Sequence, residues 1–522
     1  MSYTRLILYC TVFITGSAVL IMEVAAVRML APYFGSSLFV FSSILTVVLF
    51  ALSLGYYFGG KFSDKHPYHI PLYSIITLGG LSLLGLTLIA TYSLPHIAPG
   101  TPLGIGPLFF SIIFFLLPAF LLGIDSPYVI KLLSKNVSVD ESGRIVGSTF
   151  FWSTAGSITG SLMAGFFLIP TFGLKATMSG TAIILIILGI VGGLLIKSLL
   201  KKEGQYDSRN DLKLKKPIMV ALLATVLMTY LLFEHTLYAN TIFEKHGYYS
   251  HIVIFDGEYE GRPARFLKRD INNSSAIFLE NDELVYRYAQ FADFFPVIKP
   301  EGQRFLMLGG GAYTIPRKLN LDHPELLIDT VEIEPILFEL AKEYFRLPET
   351  EKIINHLMDA RVFLRQNSEK YDWVFIDTFS TGFYIPPHLV TREFFELLKD
   401  SITEDGVVFI NFIARAENHV ERNLIGSFSK TLMDVFPHVE LYITRPEFDK
   451  DKIVQNLVYV LSKNDNGGNL LPDELTIRTK DGSMKLKDLR IEPVDTIKSK
   501  DTVFTDNKNA VESLLLKERF IY

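Results

Sequence analysis

The sequence predicts two architectures in one chain, a polytopic α-helical membrane bundle followed by an α/β domain built on a parallel, doubly wound sheet. Two observations carry that prediction. Apolar runs of spanning length succeed one another up to about Phe233, beyond which charged residues return at ordinary globular density. In the second half, apolar strand-like segments alternate with helical ones at βαβ spacing, and their ends carry glycines or acids. The expected organisation is a membrane domain over 1–233, a small β-rich subdomain over 234–300 and a Rossmann-type domain over 301–522. A net charge of −5 makes no case for a nucleic-acid partner. The single cysteine, Cys10, excludes an intramolecular disulfide.

The apolar runs are Leu6–Met22, Leu38–Phe58, Ile70–Thr91, Pro107–Ile124, Thr149–Ile169, Ala176–Ile196 and Ile218–Phe233. A spanning helix needs roughly 20 apolar residues, so these read as about seven spans, the last one short. The first run is not a removable signal peptide, because Glu23 and Arg28 follow it directly and further spans come after. Gly55 with Gly59, and Gly156 with Gly160, have the spacing that lets helix backbones approach closely in lipid. Glu23, Arg28, Asp64, Asp125 and Arg144 fall at or near span ends, where solvent or a partner can accommodate a charge.

Between Glu234 and Pro300 the segments HIVIFD, ARFLKRD and SAIFLEN read as a small antiparallel sheet. The main domain then opens with an apolar strand that runs into Gly309, Gly310 and Gly311 and a helix start. A second strand ends on Glu332, a third unit carries Asp359, and a fourth strand ends on Asp377. Ligands of such sheets bind at the carboxyl ends of the strands, where all these residues fall. Glycines there allow close approach of a ligand beside a helix N-terminus. An acid after the second strand suits two ribose hydroxyls, and an Asp after the third suits an adenine amino group. A carboxylate after the fourth can orient or deprotonate an amine. The set points to a nucleoside ligand, and the glycines do not form the G-x-G-x-x-G of dinucleotide sites. His235, His246, His251, His356 and His388 show no metal-ligand spacing, so no metal is expected.

The segments EVAAVRMLAPYFGSS, LGYYFGGKFSD and GRIVGSTFFWSTAGSITGSLMAGFFLIPTFG resemble the N-terminal half of the membrane-fused spermidine synthase-like family. The segments LGGGAYTIPRKL, VEIEPILFELAKEYF, MDARVFL and DTFSTGFYIPPHLVTREFF resemble the successive motifs of its catalytic domain. The resemblance implies a Rossmann-like fold of the S-adenosylmethionine-dependent methyltransferase type and aminopropyl transfer from decarboxylated S-adenosylmethionine to an amine acceptor. By the same resemblance Glu332 binds ribose, Asp359 and Ala360 bind adenine, and Asp377 is the general base. It further implies a possible homodimer. Three positions depart from the family pattern. Ala312 follows the glycines where the family has Asp, Ser380 replaces a second Asp after Asp377, and a helix reading DELVYRYAQF carries Tyr286–Arg287 in place of Tyr-His.

Losing two acids and gaining a cation disfavours a dicationic acceptor, and Arg287 is placed to meet a carboxylate of the acceptor or of a donor that has kept its own. Tyr286, Tyr384 and Phe379 are expected along the substrate. Transfer from intact S-adenosylmethionine, and a nucleoside-sensing transporter or sensor, are the alternatives. The basic segments Lys61–His69, Lys131–Arg144 and Lys197–Lys216 belong in the cytoplasm by the positive-inside rule. A further span over Ile218–Phe233 would put the catalytic domain outside, whereas the chemistry that the resemblance implies places it in the cytoplasm.

Overall fold

The computed structural model describes residues 3–34, 38–98, 101, 105–135, 141–202, 240–270, 272–378, 385–416, 423–448, 454–464, 468–480 and 482–520. The chain divides into two compact units, Met1–Leu237 and Tyr238–Tyr522.

The first unit is helical: α1 (Tyr3–Phe34), α2 (Leu38–Lys65), α3 (His69–Ile97), α4 (Gly106–Gly123), α5 (Asp125–Ser134), α6 (Ser142–Met163) and α7 (Ile169–Lys202). By length and composition, five helices among the described residues could cross a membrane. The fifth, Ser142–Lys202, is 61 residues long. It holds two of the apolar runs and is broken at Gly173, whose backbone is non-helical (φ 80, ψ 170). The run Ile218–Phe233 lies outside the described residues. A Cβ on Gly156 or Gly160 would strike the carbonyl oxygens of Phe13 and Ser17, so this pair is the close contact of α6 on α1.

Asp125 does not sit at a solvated span end. It begins α5 directly after α4, within Gly106–Ser134, and is 1% exposed. The Thr15 hydroxyl of α1 donates to its Oδ2, while Oδ1 is buried with no hydrogen-bond partner. The carboxyl is drawn inside because the α4–α5 bend falls against α1 and not at the end of the apolar stretch.

The second unit begins with a four-stranded antiparallel meander of β1 (Thr241–His246), β2 (His251–Tyr259), β3 (Arg262–Arg269) and β4 (Asn272–Phe278). Its inner-face residues Ile252, Ile254, Leu267 and Ile277 share one core with Phe305, Leu306 and Leu308 of the main sheet. That sheet has eight strands: β5 (Arg304–Leu308), β6 (Leu327–Glu332), β7 (Ile353–Leu357), β8 (Tyr371–Ile376), β9 (Ile402–Ala414), β10 (His438–Ile443), β11 (Gln455–Ser462) and, beyond a short hairpin of β12 (Thr476–Thr479) and β13 (Gly482–Lys485), β14 (Arg490–Ile491). The spatial order is β14-β10-β11-β9-β8-β5-β6-β7. Strands β7, β6, β5, β8 and β9 pair in parallel as predicted, whereas β11, β10 and β14 close the far side antiparallel. Five apolar strands joined through helices need both faces covered, and the helices after β5, β6, β7 and β8 supply that cover.

The helix predicted over DELVYRYAQF does not form there. Leu284 instead makes a β-bridge to Ile277, and helical backbone starts only with the 3₁₀ turn Ala289–Phe294. A bridge to the meander satisfies backbone groups that a helix would have used, and it stacks Tyr286 on Tyr288 at 5.9 Å.

Candidate active site

The glycine turn follows β5. Gly309 has φ +94, and a Cβ there would strike the carbonyl oxygen of Asp377, so two strand ends cross at backbone distance. Gly309 N–H donates to the Val331 carbonyl at 2.9 Å, and Asp377 N–H donates to that of Leu308 at 2.8 Å. The turn and the ends of β6 and β8 are thus fastened together.

Glu332 is 3% exposed and lies under this turn. Its Oε2 accepts the N–H groups of Gly310 (3.0 Å) and Gly311 (3.1 Å), and its Oε1 those of Ile333 and Glu334 (both 2.9 Å). All four lone-pair positions of the carboxylate are therefore met by backbone. A ribose would have to exchange with some of these donors. Glu334, 1% exposed, accepts the N–H groups of Tyr248 (3.0 Å) and Tyr249 (2.8 Å) and ties the β1–β2 turn to the end of β6.

Asp359 caps the helix Ala360–Gln366, its Oδ1 accepting from Arg361 N–H at 2.9 Å and Val362 N–H at 3.1 Å. Its Oδ2 meets His388 Nε2 at 2.9 Å. Burial works upward on its acidity constant, but the His388 contact and the cap N–H groups outweigh it, and the carboxyl is held below the ordinary range. Ala360 is buried behind it.

Asp377 is gripped on both oxygens. Tyr288 Oη donates to Oδ2 at 2.9 Å, and Asn411 Nδ2 donates to Oδ1 at 2.8 Å. Asn456 Nδ2 in turn donates to Asn411 Oδ1 at 2.9 Å, which fixes the Asn411 amide in the orientation that presents N–H to Asp377. Desolvation pushes Asp377 up to about 6, and the nearby Glu332 charge adds to the rise. The two hydrogen bonds and the charge of Arg269 hold it from going further. The Tyr288 phenol is pushed up by burial and then by the Asp377 charge, so it stays a donor.

Arg287 does not face the site as a free cation. It is 8% exposed, with Nη1 on Glu447 Oε1 (2.8 Å) and the Thr444 carbonyl (3.3 Å), and Nη2 on Glu260 Oε1 (3.2 Å). Its charge is spent on joining the β2–β3 turn to the loop after β10. Tyr286 lies edge-on to Tyr259 at 5.5 Å and keeps a buried hydroxyl with no hydrogen-bond partner. Ala312 is 1% exposed, and its N–H donates to Ser275 Oγ at 3.1 Å, which leaves the position without a carboxylate. Tyr384, Phe379 and Ser380 lie outside the described residues. Among those described, no group of three or more His, Cys, Asp or Glu side chains is placed to hold a metal.

Three residues of this site were not anticipated. Asn411 is the one polar residue in the otherwise apolar segment GVVFINFI, a signal that was readable. Tyr288 and Arg269 carried none, because it takes the β-bridge and the meander to bring them to Asp377.

Residues 290–457 match the family model of the spermine/spermidine synthase domain. The polyamine aminopropyltransferase of Vibrio vulnificus is 27% identical over 222 residues, covering 40% of this chain and 72% of that one. Polyamine aminopropyltransferase 1 of Streptomyces coelicolor is 23% identical over 432 residues, covering 78% of this chain and 75% of that one. That alignment is longer than the whole second unit, so it reaches into the helical unit as well. The crystal structure of a probable spermidine synthase from Corynebacterium glutamicum covers 44% of this chain and 82% of that one, at 23% identity and a TM-score of 0.37. The C-terminal half of this chain carries a spermidine synthase domain, which marks a transferase, and its curated relatives include polyamine aminopropyltransferases.

Proposed function

We propose that the protein is a membrane-bound aminopropyltransferase that moves the aminopropyl group of decarboxylated S-adenosylmethionine onto an amine. The observation that carries this reading is the Asp377 carboxylate, held at 2.9 and 2.8 Å between Tyr288 and Asn411 beside the glycine turn. The amine lone pair attacks the carbon bonded to the sulfonium sulfur. The carbon–sulfur bond breaks, its electron pair stays on sulfur as a thioether, and the proton lost by nitrogen passes to Asp377. An aliphatic ammonium holds its proton to about pH 10, so a base raised to about 6 is better matched than an ordinary carboxylate yet still ionised at neutral pH. Glu332 and the N–H groups of the glycine turn would take the ribose, and Asp359 with Ala360 the adenine. Membrane embedding is supported by the length and composition of five helices. On this reading the catalytic unit faces the cytoplasm.

The test uses the full chain in detergent. Calorimetry with decarboxylated and intact S-adenosylmethionine measures donor binding, with Glu332→Ala as control, and release of methylthioadenosine in the presence of amines measures transfer. Binding that Glu332→Ala weakens, with turnover that Asp377→Asn abolishes, is the expected result. Equal binding by Glu332→Ala, or turnover surviving Asp377→Asn, would sink the assignment. A pure sensor would bind the nucleoside and tolerate Asp377→Asn.

A further inference from the structure

Arg287 is paired to two glutamates, but a second buried arginine, Arg269, makes its charge felt at Asp377. Arg269 ends β3 and is 7% exposed. Strand residues alternate between faces, so Arg269 lies on the same face as Leu267. It pairs across the meander with Ile252, and Leu267 pairs with Ile254 and Ser275. Leu267, Ile252 and Ile254 belong to the core shared with the main sheet, and Ser275 accepts the N–H of Ala312 at the glycine turn. Arg269 therefore sits on the face turned toward the strand ends.

Its Nε donates to Ser250 Oγ at 3.2 Å, and its two terminal nitrogens make no hydrogen bond among the described residues. No carboxylate lies within ion-pair distance of it there, although its charge is felt at Asp377. A guanidinium this deeply buried is costly unless something of opposite charge meets its fork. Position 312 at the glycine turn is an alanine and offers it no carboxylate.

We propose that Arg269 is the carboxylate-binding residue of this site and that its terminal N–H groups receive the carboxylate of a substrate. This inference rests on the transferase reading above. The carboxylate has two possible sources: the amino-acid end of a donor that has not been decarboxylated, or an acceptor that is itself an amino acid. In either case the guanidinium fork matches a carboxylate in two parallel hydrogen bonds and repels a second ammonium, so a simple diamine is the poorer acceptor.

Two ligand pairs that differ by a single carboxylate separate the sources: intact against decarboxylated S-adenosylmethionine, and ornithine against putrescine. The full chain is titrated with both donors and assayed for methylthioadenosine release with both acceptors, as wild type, Arg269→Gln and Arg269→Lys. The expected result is a preference for the carboxylate-bearing member of one pair by roughly ten- to a hundredfold. Arg269→Gln should erase that preference, and Arg269→Lys should keep part of it. The pair that responds identifies the source. Preference for the carboxylate-free member of both pairs overturns the inference without any variant, as does a preference that survives Arg269→Gln. If Arg269→Gln does not fold, the wild-type preferences and Arg269→Lys decide. Failure of both donors to bind overturns the transferase reading itself and this inference with it, whereas tight binding without preference overturns this inference alone.

Discussion

The Tyr288 hydroxyl donates to Oδ2 of Asp377 at 2.9 Å, from a segment 89 residues earlier in the chain. Together with Asn411 on Oδ1 it sets both the direction of the carboxylate and its acidity. Hydrogen bonds to the ionised form lower a carboxyl's pKa. Tyr288→Phe keeps the ring stack on Tyr286 and removes only the donor. The acid limb of the kcat/KM profile, expected near pH 6, should therefore move upward by about one unit. Activity at pH 7 should fall about twofold and recover at higher pH. An unmoved limb would mean that Asp377 is not the titrating base.

Asp377→Asn should lose turnover by about a hundred- to ten-thousandfold while still binding donor. The same variant makes a prediction about stability. Asp377 is raised from an ordinary 3.8 to about 6 in the folded state, so the native protein binds this proton more tightly than the unfolded chain. The stabilisation from that proton is full below about pH 4 and is lost as pH rises through about 6. A neutral amide escapes the loss. Asp377→Asn should gain little at pH 4 and at most about 3 kcal/mol at pH 7, read as a higher Tm in parallel thermal melts. A gain of equal size at both pH values would point to packing in place of charge.

The parallel part of the sheet was legible because each strand end is marked by a residue with a local reason to be there: glycine at a positive-φ turn, Glu332 beneath it, Asp359 at a helix cap. The roles beyond the strand ends were less legible. Arg287 read as a substrate contact because its partners, Glu260 and Glu447, stand 27 residues before and 160 after it. The helix expected at DELVYRYAQF was lost to a bridge with Ile277, which only the folded meander offers. Asp125 read as a span-end charge because the α4–α5 bend has no strong sequence mark beyond Pro127.

Asp359 holds His388 at 2.9 Å on Oδ2, the oxygen that adenine would need. If the donor must displace His388, removing the imidazole removes a competitor. His388→Ala should tighten donor binding by about two- to tenfold, an effect of the size of one hydrogen bond. Weaker binding in calorimetry would instead show His388 to be part of the adenine site.

Gly309→Ala tests the crossing of β5 and β8. The added methyl would meet the carbonyl oxygen of Asp377, and φ +94 strains any residue with a Cβ. Neither strand end can retreat, because the Val331 and Leu308 hydrogen bonds fasten both. A loss of about 2–4 kcal/mol in stability is expected, along with loss of donor binding. A variant of wild-type stability and affinity would show that the turn is looser than its hydrogen bonds imply.

Arg287 and Arg269 are both buried arginines, and their partners predict opposite phenotypes. Arg287 is paired with Glu260 and Glu447 and donates to the Thr444 carbonyl, so Arg287→Gln strands two carboxylates. Glu447 is half exposed and can be solvated, which limits the cost to about 1–3 kcal/mol. The Thr444 hydroxyl also donates to the Asn456 carbonyl at 2.7 Å, and Asn456 orients Asn411 on Asp377, so a modest fall in kcat should accompany the lower Tm. The ratio of kcat/KM for ornithine and putrescine should not move. A change in that ratio would return Arg287 to the substrate and would mean that the Glu260 and Glu447 contacts open when the acceptor binds.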